Sequence, residues 1–196
     1  KPTLFPFNYF ETKTITYKSR DNKDIPIVII HKKGIELNGN NPTLLRVYGG
    51  FGSVSSPNYD TGLLHFLEKG GVYAFAKVRG GGEKGKNWHK EGKGLKKINS
   101  INDFVDAAEF LIREKYTNPN KLAINGGSHG GLVVGAAMTQ RPDLFKVVIS
   151  EMGRLDMATL DKYTSGIHHF DEYGNPNNKE EFQSLISYSP YHTIKE

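Results

Sequence analysis

The chain contains no cysteine in 196 residues. That excludes a disulfide framework, a thiolate zinc site and a cysteine nucleophile, and it leaves the redox state of the compartment open. No apolar run approaches the roughly 20 residues that cross a bilayer, and the first residues lack a charged-then-apolar signal pattern, so no membrane partner is expected. The seven histidines show neither H-x-x-x-H nor H-E-x-x-H spacing, so no metal and no cofactor is implied. Acidic residues are the minority, 21 against 26 basic, for a formal net charge of +5. Much of the excess lies in residues 84–97, where Lys84, Lys86, Lys90, Lys93, Lys96 and Lys97 are interleaved with Gly85, Gly92 and Gly94. Such a run can follow phosphates, but only Trp88 offers a stacking ring and no nucleic-acid-binding signature accompanies it. It reads as a solvated loop, and nucleic acid is not an expected partner. The chain opens on Lys1 rather than Met, which reads as a processed or excised start. The cytoplasm is the expected compartment, with the periplasm or secretion open because the native N-terminus is not seen.

What is present suffices for one domain, since 37% hydrophobic residues at this length can build a single core. Residues 14–17 and 25–31 read as antiparallel strands joined through Arg20-Asp21-Asn22-Lys23. A strand over 43–48 ends in Gly49-Gly50, a short helix over 62–69 closes at Gly70-Gly71, and 72–78 reads as a buried strand. Ser100 or Asn102 is expected to cap the next helix, whose apolar positions Phe104, Ala107, Ala108, Leu111 and Ile112 recur at helical spacing. A strand over 121–124, a helix over 132–139 and a strand over 147–150 follow. This alternation predicts an α/β fold, a mostly parallel sheet with helices on both faces.

The run Asn125-Gly126-Gly127-Ser128-His129-Gly130-Gly131 falls where strand passes to helix. Chance can produce G-x-S-x-G in a chain with 22 glycines, but the strand-turn-helix context marks a nucleophile elbow, with Ser128 strained at its tip and Gly126 and Gly130 pressed against backbone. Acyl transfer also needs donors for the oxyanion. The backbone N–H of His129 is one by the construction of the elbow, and Tyr48-Gly49-Gly50-Phe51-Gly52 lies after the third strand, where folds of this kind place the second.

These residues together resemble the prolyl oligopeptidase family of serine peptidases. The resemblance runs through Tyr48-Gly49-Gly50-Phe51, Val78-Arg79-Gly80-Gly81-Gly82-Glu83, Trp88-His89, Asn102-Asp103-Phe104 and the elbow. It continues through Gln140-Arg141-Pro142-Asp143-Leu144-Phe145, Glu172-Tyr173-Gly174 and Tyr188-Ser189-Pro190-Tyr191. It implies an α/β-hydrolase fold with Ser128 as nucleophile, the Tyr48 hydroxyl and the His129 N–H as oxyanion donors, and Phe51 and Tyr173 lining the pocket for the acyl-side residue. The family's triad Asp and His follow further strands, and its members carry a β-propeller upstream. Neither is found here: Asp156, Asp161, His168, His169 and His192 do not follow strands of the right order. The chain is therefore expected to be one incomplete hydrolase domain lacking its last strands, with residues 1–12 as a linker from an absent propeller. Its exposed sheet edge makes a homo-oligomer an expected association.

Proline-cleaving members place tryptophan where His169 stands, a small apolar residue at Arg154 and asparagine at His129, so the pocket here is expected to be more polar. The related oligopeptidase B branch has acidic residues at the positions of His169 and Asp171, of which Asp171 alone is kept. The expected function is a serine peptidase acting on short peptides through an acyl-enzyme on Ser128. An esterase or acylaminoacyl hydrolase and a non-catalytic fragment or pseudoenzyme are the alternatives.

Overall fold

Side chains alternate across a strand, and the alternation decides the first hairpin. In β1 (Phe10–Lys18) Tyr17 turns into the core, and β2 (Asp24–Lys32) pairs with it antiparallel in unbroken register from Phe10↔Lys32 to Lys18↔Asp24. At the expected turn Asn22 adopts φ 62°, a left-handed conformation that asparagine tolerates. The computed structural model describes residues 9–56 and 61–194. β1 takes in Phe10, Glu11 and Thr12, so these three residues of the linker expected over residues 1–12 are strand instead; residues 1–8 lie outside the described residues.

The remaining order is β3 (Thr43–Val47), α1 (Thr61–Glu68), β4 (Val72–Ala76), α2 (Lys86–Lys90), α3 (Ile98–Arg113), β5 (Leu122–Gly127), α4 (His129–Gln140) and β6 (Val147–Glu151). Four short helices follow, α5 (Thr164–Ile167), α6 (Phe170–Tyr173), α7 (Lys179–Tyr188) and α8 (Pro190–Thr193). Among the described residues six strands form one mixed sheet, in the order β1-β2-β4-β3-β5-β6. β1–β2 and β2–β4 are antiparallel, whereas β4–β3, β3–β5 and β5–β6 are parallel.

Both faces of the sheet are covered near its centre. Tyr73 and Phe75 of β4 pack with Leu63 and Leu67 of α1, while Val72, Ala74 and Ala76 join Phe104 and Leu111 of α3 and Leu132, Val133 and Ala136 of α4. The chain therefore leaves β3 towards one face and leaves the adjacent β5 towards the other. Such a switch point opens a crevice at the carboxyl ends of the two strands, and there the chain places Tyr48 and Ser128. At the β6 edge of the described sheet, Val147 and Ile149 remain 47% and 43% exposed.

Two local expectations are corrected. α3 begins at Ile98, so neither Ser100 nor Asn102 caps it. Ser100 is buried and donates its hydroxyl to the Arg79 carbonyl at 2.5 Å, and Asn102 accepts from the Arg20 guanidinium at 3.1 Å. Tertiary partners have claimed side chains that could otherwise bond first-turn amides. Nor is the lysine-rich stretch one solvated loop. It folds into α2, a 3-10 turn at Gly94–Lys96 and the entry to α3, with Lys97 fully buried and Lys84 lying 4.6 Å from the centre of the Trp88 ring.

A buried ion pair joins the segments on either side of that stretch. Asp103 accepts from the Arg79 backbone N–H at 3.0 Å, from its Nε at 2.9 Å and from its Nη2 at 2.6 Å, while Arg79 Nη1 reaches Asp21 at 2.6 Å in the hairpin turn. Both Arg79 and Asp103 are buried, so losing Asp103 leaves the Arg79 guanidinium with only the 44% exposed Asp21 as counter-charge. Asp103→Ala is expected to lower unfolding free energy by about 3–5 kcal/mol in urea titrations. A change within the roughly 0.5 kcal/mol typical of surface substitutions would contradict this role.

Candidate active site

Ser128 lies between the last residue of β5 and the first of α4, with φ 53° and ψ −116°. A non-glycine residue there stores roughly 1–3 kcal/mol of strain, which the surrounding structure must impose. Its backbone N–H donates to the Glu151 carbonyl at 2.7 Å, its carbonyl accepts from Gly131 N at 2.9 Å, and its side chain is exposed. The flanking glycines are sterically required, as the spacing predicts. A Cβ on Gly126 would lie 2.2 Å from the Gly130 oxygen, and one on Gly130 would lie 2.4 Å from the Val47 oxygen.

Strand register brings the second element alongside. β3 and β5 pair with Val47 opposite Gly126, so Tyr48, the first residue past β3, comes level with Gly127 at the end of β5, beside Ser128. Tyr48, Ser128 and His129 line a cavity of about 580 Å³, and Phe51, Tyr173, His169 and Arg154 line it as well. Phe51 packs edge-on against His129, His169 and Tyr173, with ring centroids 5.8, 5.2 and 5.7 Å away. The Arg154 guanidinium lies over Tyr163 at 5.0 Å and reaches Ser165 at 3.2 Å. Seven expected site residues therefore converge: Tyr48, Phe51, Ser128, His129, Arg154, His169 and Tyr173. Asp171 does not. Its side chain is 86% exposed and pairs with Lys93 at 2.8 Å, because α6 turns Tyr173 inward to the cavity and Asp171 to solvent.

The His129 side chain ties two segments together, a role apart from the oxyanion bond expected of its backbone N–H. The Gly49 carbonyl, 3.1 Å from Nε2, can only accept, so Nε2 carries the proton and Nδ1 accepts from the Tyr173 hydroxyl at 2.9 Å. Burial, reinforced by the nearby Lys97 charge, pushes the imidazole pKa well below its ordinary value and keeps it neutral. With both nitrogens engaged, this ring is no base for Ser128. Burial, and secondarily the Glu172 charge, raise the Tyr48 and Tyr173 hydroxyl pKa values and hold both as donors.

Glu172 lies in a motif that carries the resemblance but was assigned no role from the sequence, yet it is 3% exposed and accepts three bonds. These come from Phe51 N at 3.0 Å, Lys97 Nζ at 2.5 Å and His89 Nε2 at 2.7 Å. A four-residue helix is too short to show periodicity, and a lysine in a basic stretch gives no mark of burial, so neither partner had a local signal. Met152, with φ 53° and 89% exposure on the cavity wall, was equally unmarked.

Among the described residues no side chain hydrogen-bonds the Ser128 hydroxyl. His168 is exposed, and Asp161 pairs with Lys162 at 3.2 Å. Asp156 and His192 approach each other at 3.9 Å, and Ser189 lies 2.9 Å from the same His192 Nδ1, but Ser189 is fully buried and accepts from Met157 N. That Ser–His–Asp grouping cannot reach a substrate.

The profile of the prolyl oligopeptidase family matches residues 57–196. A prolyl endopeptidase of Dictyostelium discoideum is 42% identical over 193 residues, covering 97% of this chain and 25% of that protein. A structure from a study of two prolyl endopeptidases superposes with a TM-score of 0.93 at 45% identity, over 95% of this chain and 28% of that one. Prolyl oligopeptidase B of Galerina marginata, bound to a 25-residue macrocyclization substrate, superposes with a TM-score of 0.93 at 37% identity, over 96% of this chain and 26% of that one. The chain thus spans about a quarter of the length of the curated relatives it matches.

The site makes two measurable demands. Gly130→Ala is expected to prevent the elbow from closing, at a cost of about 3 kcal/mol or more, in the range of severe steric defects; unchanged thermal stability would contradict the close approach. Burial lowers Lys97 from its ordinary 10.5 to about 8, against the raising pull of Glu172. Between those values the unfolded chain binds more protons, so the Lys97 contribution to stability rises with pH. The unfolding free energy of wild type minus that of Lys97→Met is expected to grow from pH 8 to pH 10.5, whereas a flat or shrinking difference would contradict the burial.

Proposed function

The chain belongs to the prolyl oligopeptidase family, and on that premise we propose that it is the nucleophile-bearing part of a serine peptidase that hydrolyses peptides through an acyl-enzyme on Ser128. The observation that carries this reading is the exposed, strained Ser128 at a cavity it shares with Tyr48 and the start of α4.

Ser128 Oγ attacks the peptide carbonyl and loses its proton to an imidazole base. The new oxyanion is met by the His129 backbone N–H, one of the first-turn amides that a helix leaves without internal partners, and by the Tyr48 phenol. Collapse returns the base's proton to the departing amine and leaves the acyl-enzyme, which water hydrolyses with the same base assisting. We assign the base and its carboxylate partner to parts of the protein outside these 196 residues. Two observations support this: the described imidazoles make no bond to Ser128, and the Galerina enzyme has been solved with peptide substrates in variants replacing one serine, one aspartate or one histidine. On this reading the fold is an α/β-hydrolase domain whose last strands cover the apolar β6 edge at Val147 and Ile149, and self-association is the competing way to cover it.

The substrate-binding wall is Phe51, Tyr173, His169 and Arg154. Phe51 and Tyr173 supply flat apolar surface for the acyl-side residue. His169 presents a smaller and more polar ring than an indole would. Asp171, facing solvent, lends no support to selection of basic residues.

The test is hydrolysis of short peptides by the full-length protein. Ser128→Ala is expected to abolish turnover, and Tyr48→Phe to lower kcat about 100-fold with KM little changed, the magnitude of losing one oxyanion donor. Retained turnover in Ser128→Ala would contradict the reading, and an unaltered kcat in Tyr48→Phe would remove Tyr48 from the site.

A further inference from the structure

We propose that Glu172 is a positioning residue whose buried carboxylate holds the loop carrying Tyr48 and Phe51 in place against Ser128. The inference rests on the peptidase reading and extends it to a residue with no contact to the reacting atoms.

The loop after β3 is not regular structure, and Phe51 within it adopts φ 57°. A bulky aromatic residue keeps such a conformation only where its surroundings over-determine it. Here three consecutive attachments do so: the Gly49 carbonyl accepts from His129, Phe51 N donates to Glu172 at 3.0 Å, and Gly52 N donates to the Gly80 carbonyl at 3.0 Å. The middle attachment ends on a side chain, and that side chain gathers separate parts of the fold. Lys97 from the entry to α3 and His89 from α2 bond the same carboxylate, at 2.5 and 2.7 Å. Its neighbour Tyr173 donates to His129, the residue after the nucleophile. The circuit from Glu172 through Phe51, Gly49, His129 and Tyr173 closes on itself around the cavity, so a shift of the carboxylate moves the oxyanion loop and the specificity wall together.

Lys97 neutralises the carboxylate, with His89, Tyr173, Tyr48 and Tyr188 as the other titratable groups around it and Lys93 near Lys97. Replacing a buried ion pair by apolar residues of similar volume is often neutral for stability, which allows position to be separated from folding.

The experiment compares the full-length protein with Glu172→Leu/Lys97→Met and Glu172→Gln/Lys97→Met, reading Tm, kcat, KM and hydrogen exchange of the Phe51 amide. The Leu/Met pair removes the acceptor for Phe51 N–H. It is expected to keep a near-native Tm while kcat falls roughly tenfold or more, KM rises, and the Phe51 amide exchanges faster. The Gln/Met pair restores the acceptor without the charge and is expected to recover most of the lost kcat. If the Leu/Met pair does not fold, Glu172→Asp, which withdraws the carboxylate by one methylene, is expected to lower kcat in the same direction.

Wild-type kcat and KM in a folded Leu/Met or Asp variant would overturn the inference while leaving the peptidase reading intact. Failure of glutamine to restore kcat would overturn it too, because charge and not position would then matter. A wild type that neither turns over peptides nor reacts at Ser128 would instead remove the reading on which it rests.

Discussion

The carbonyl oxygen of Val47, at the end of β3, approaches Gly130 so closely that a methyl group there would lie 2.4 Å away. This backbone contact brings α4 directly onto the end of its neighbouring strand, and the rest of the site depends on it. With α4 that close, the chain leaving β5 has no room for a relaxed turn, and Ser128 takes up the strained dihedrals that present its hydroxyl to solvent. The same approach sets the His129 ring over Gly50, where a Cβ would lie 2.3 Å from the ring. The roughly 1–3 kcal/mol stored at Ser128 is offset by what lies beneath, since Leu132, Val133 and Ala136 on the following turns are fully buried.

A second constraint organises the cavity wall. Burial keeps His129 neutral and Tyr48 and Tyr173 protonated, so the groups around Ser128 are fixed dipoles and hydroxyls while the charge sits one layer back on Glu172 and Lys97. Oriented dipoles of this kind need little reorganisation when an oxyanion forms beside them, which is the physical basis of the proposed catalysis. Arg154 and Asp156 are the charged exceptions on the wall. Arg154 lies over Tyr163 and makes no ion pair among the described residues, so a cation faces the cavity.

What could be read from sequence was whatever local sterics or a short period determines. The hairpin, the elbow with its two required glycines, and the helices flanking it follow from strand alternation, helical spacing and the space a Cβ needs. Ser100 and Asn102 show the limit of that reasoning. Their local preference for a cap is real, but Arg79 and Arg20, far away in sequence, bind them more strongly. Lys97 shows the same from the other side, for its flanking lysines and glycines describe a surface while Glu172, 75 residues later, takes it inside. Asp171 and Tyr173 are two positions apart on a short helix, and which one faces the cavity depends on tertiary packing alone. The contacts that join Phe51, His89 and Lys97 to Glu172 were illegible because each of these residues belongs to a different segment.

The central claim is that the fold presents Ser128 as a nucleophile. The full-length protein treated with a fluorophosphonate, digested and mapped by mass spectrometry tests it most directly. The account predicts a stoichiometric adduct on Ser128, with none on the buried Ser189 beside His192. An unmodified Ser128, or an adduct on Ser189 in its place, would contradict it.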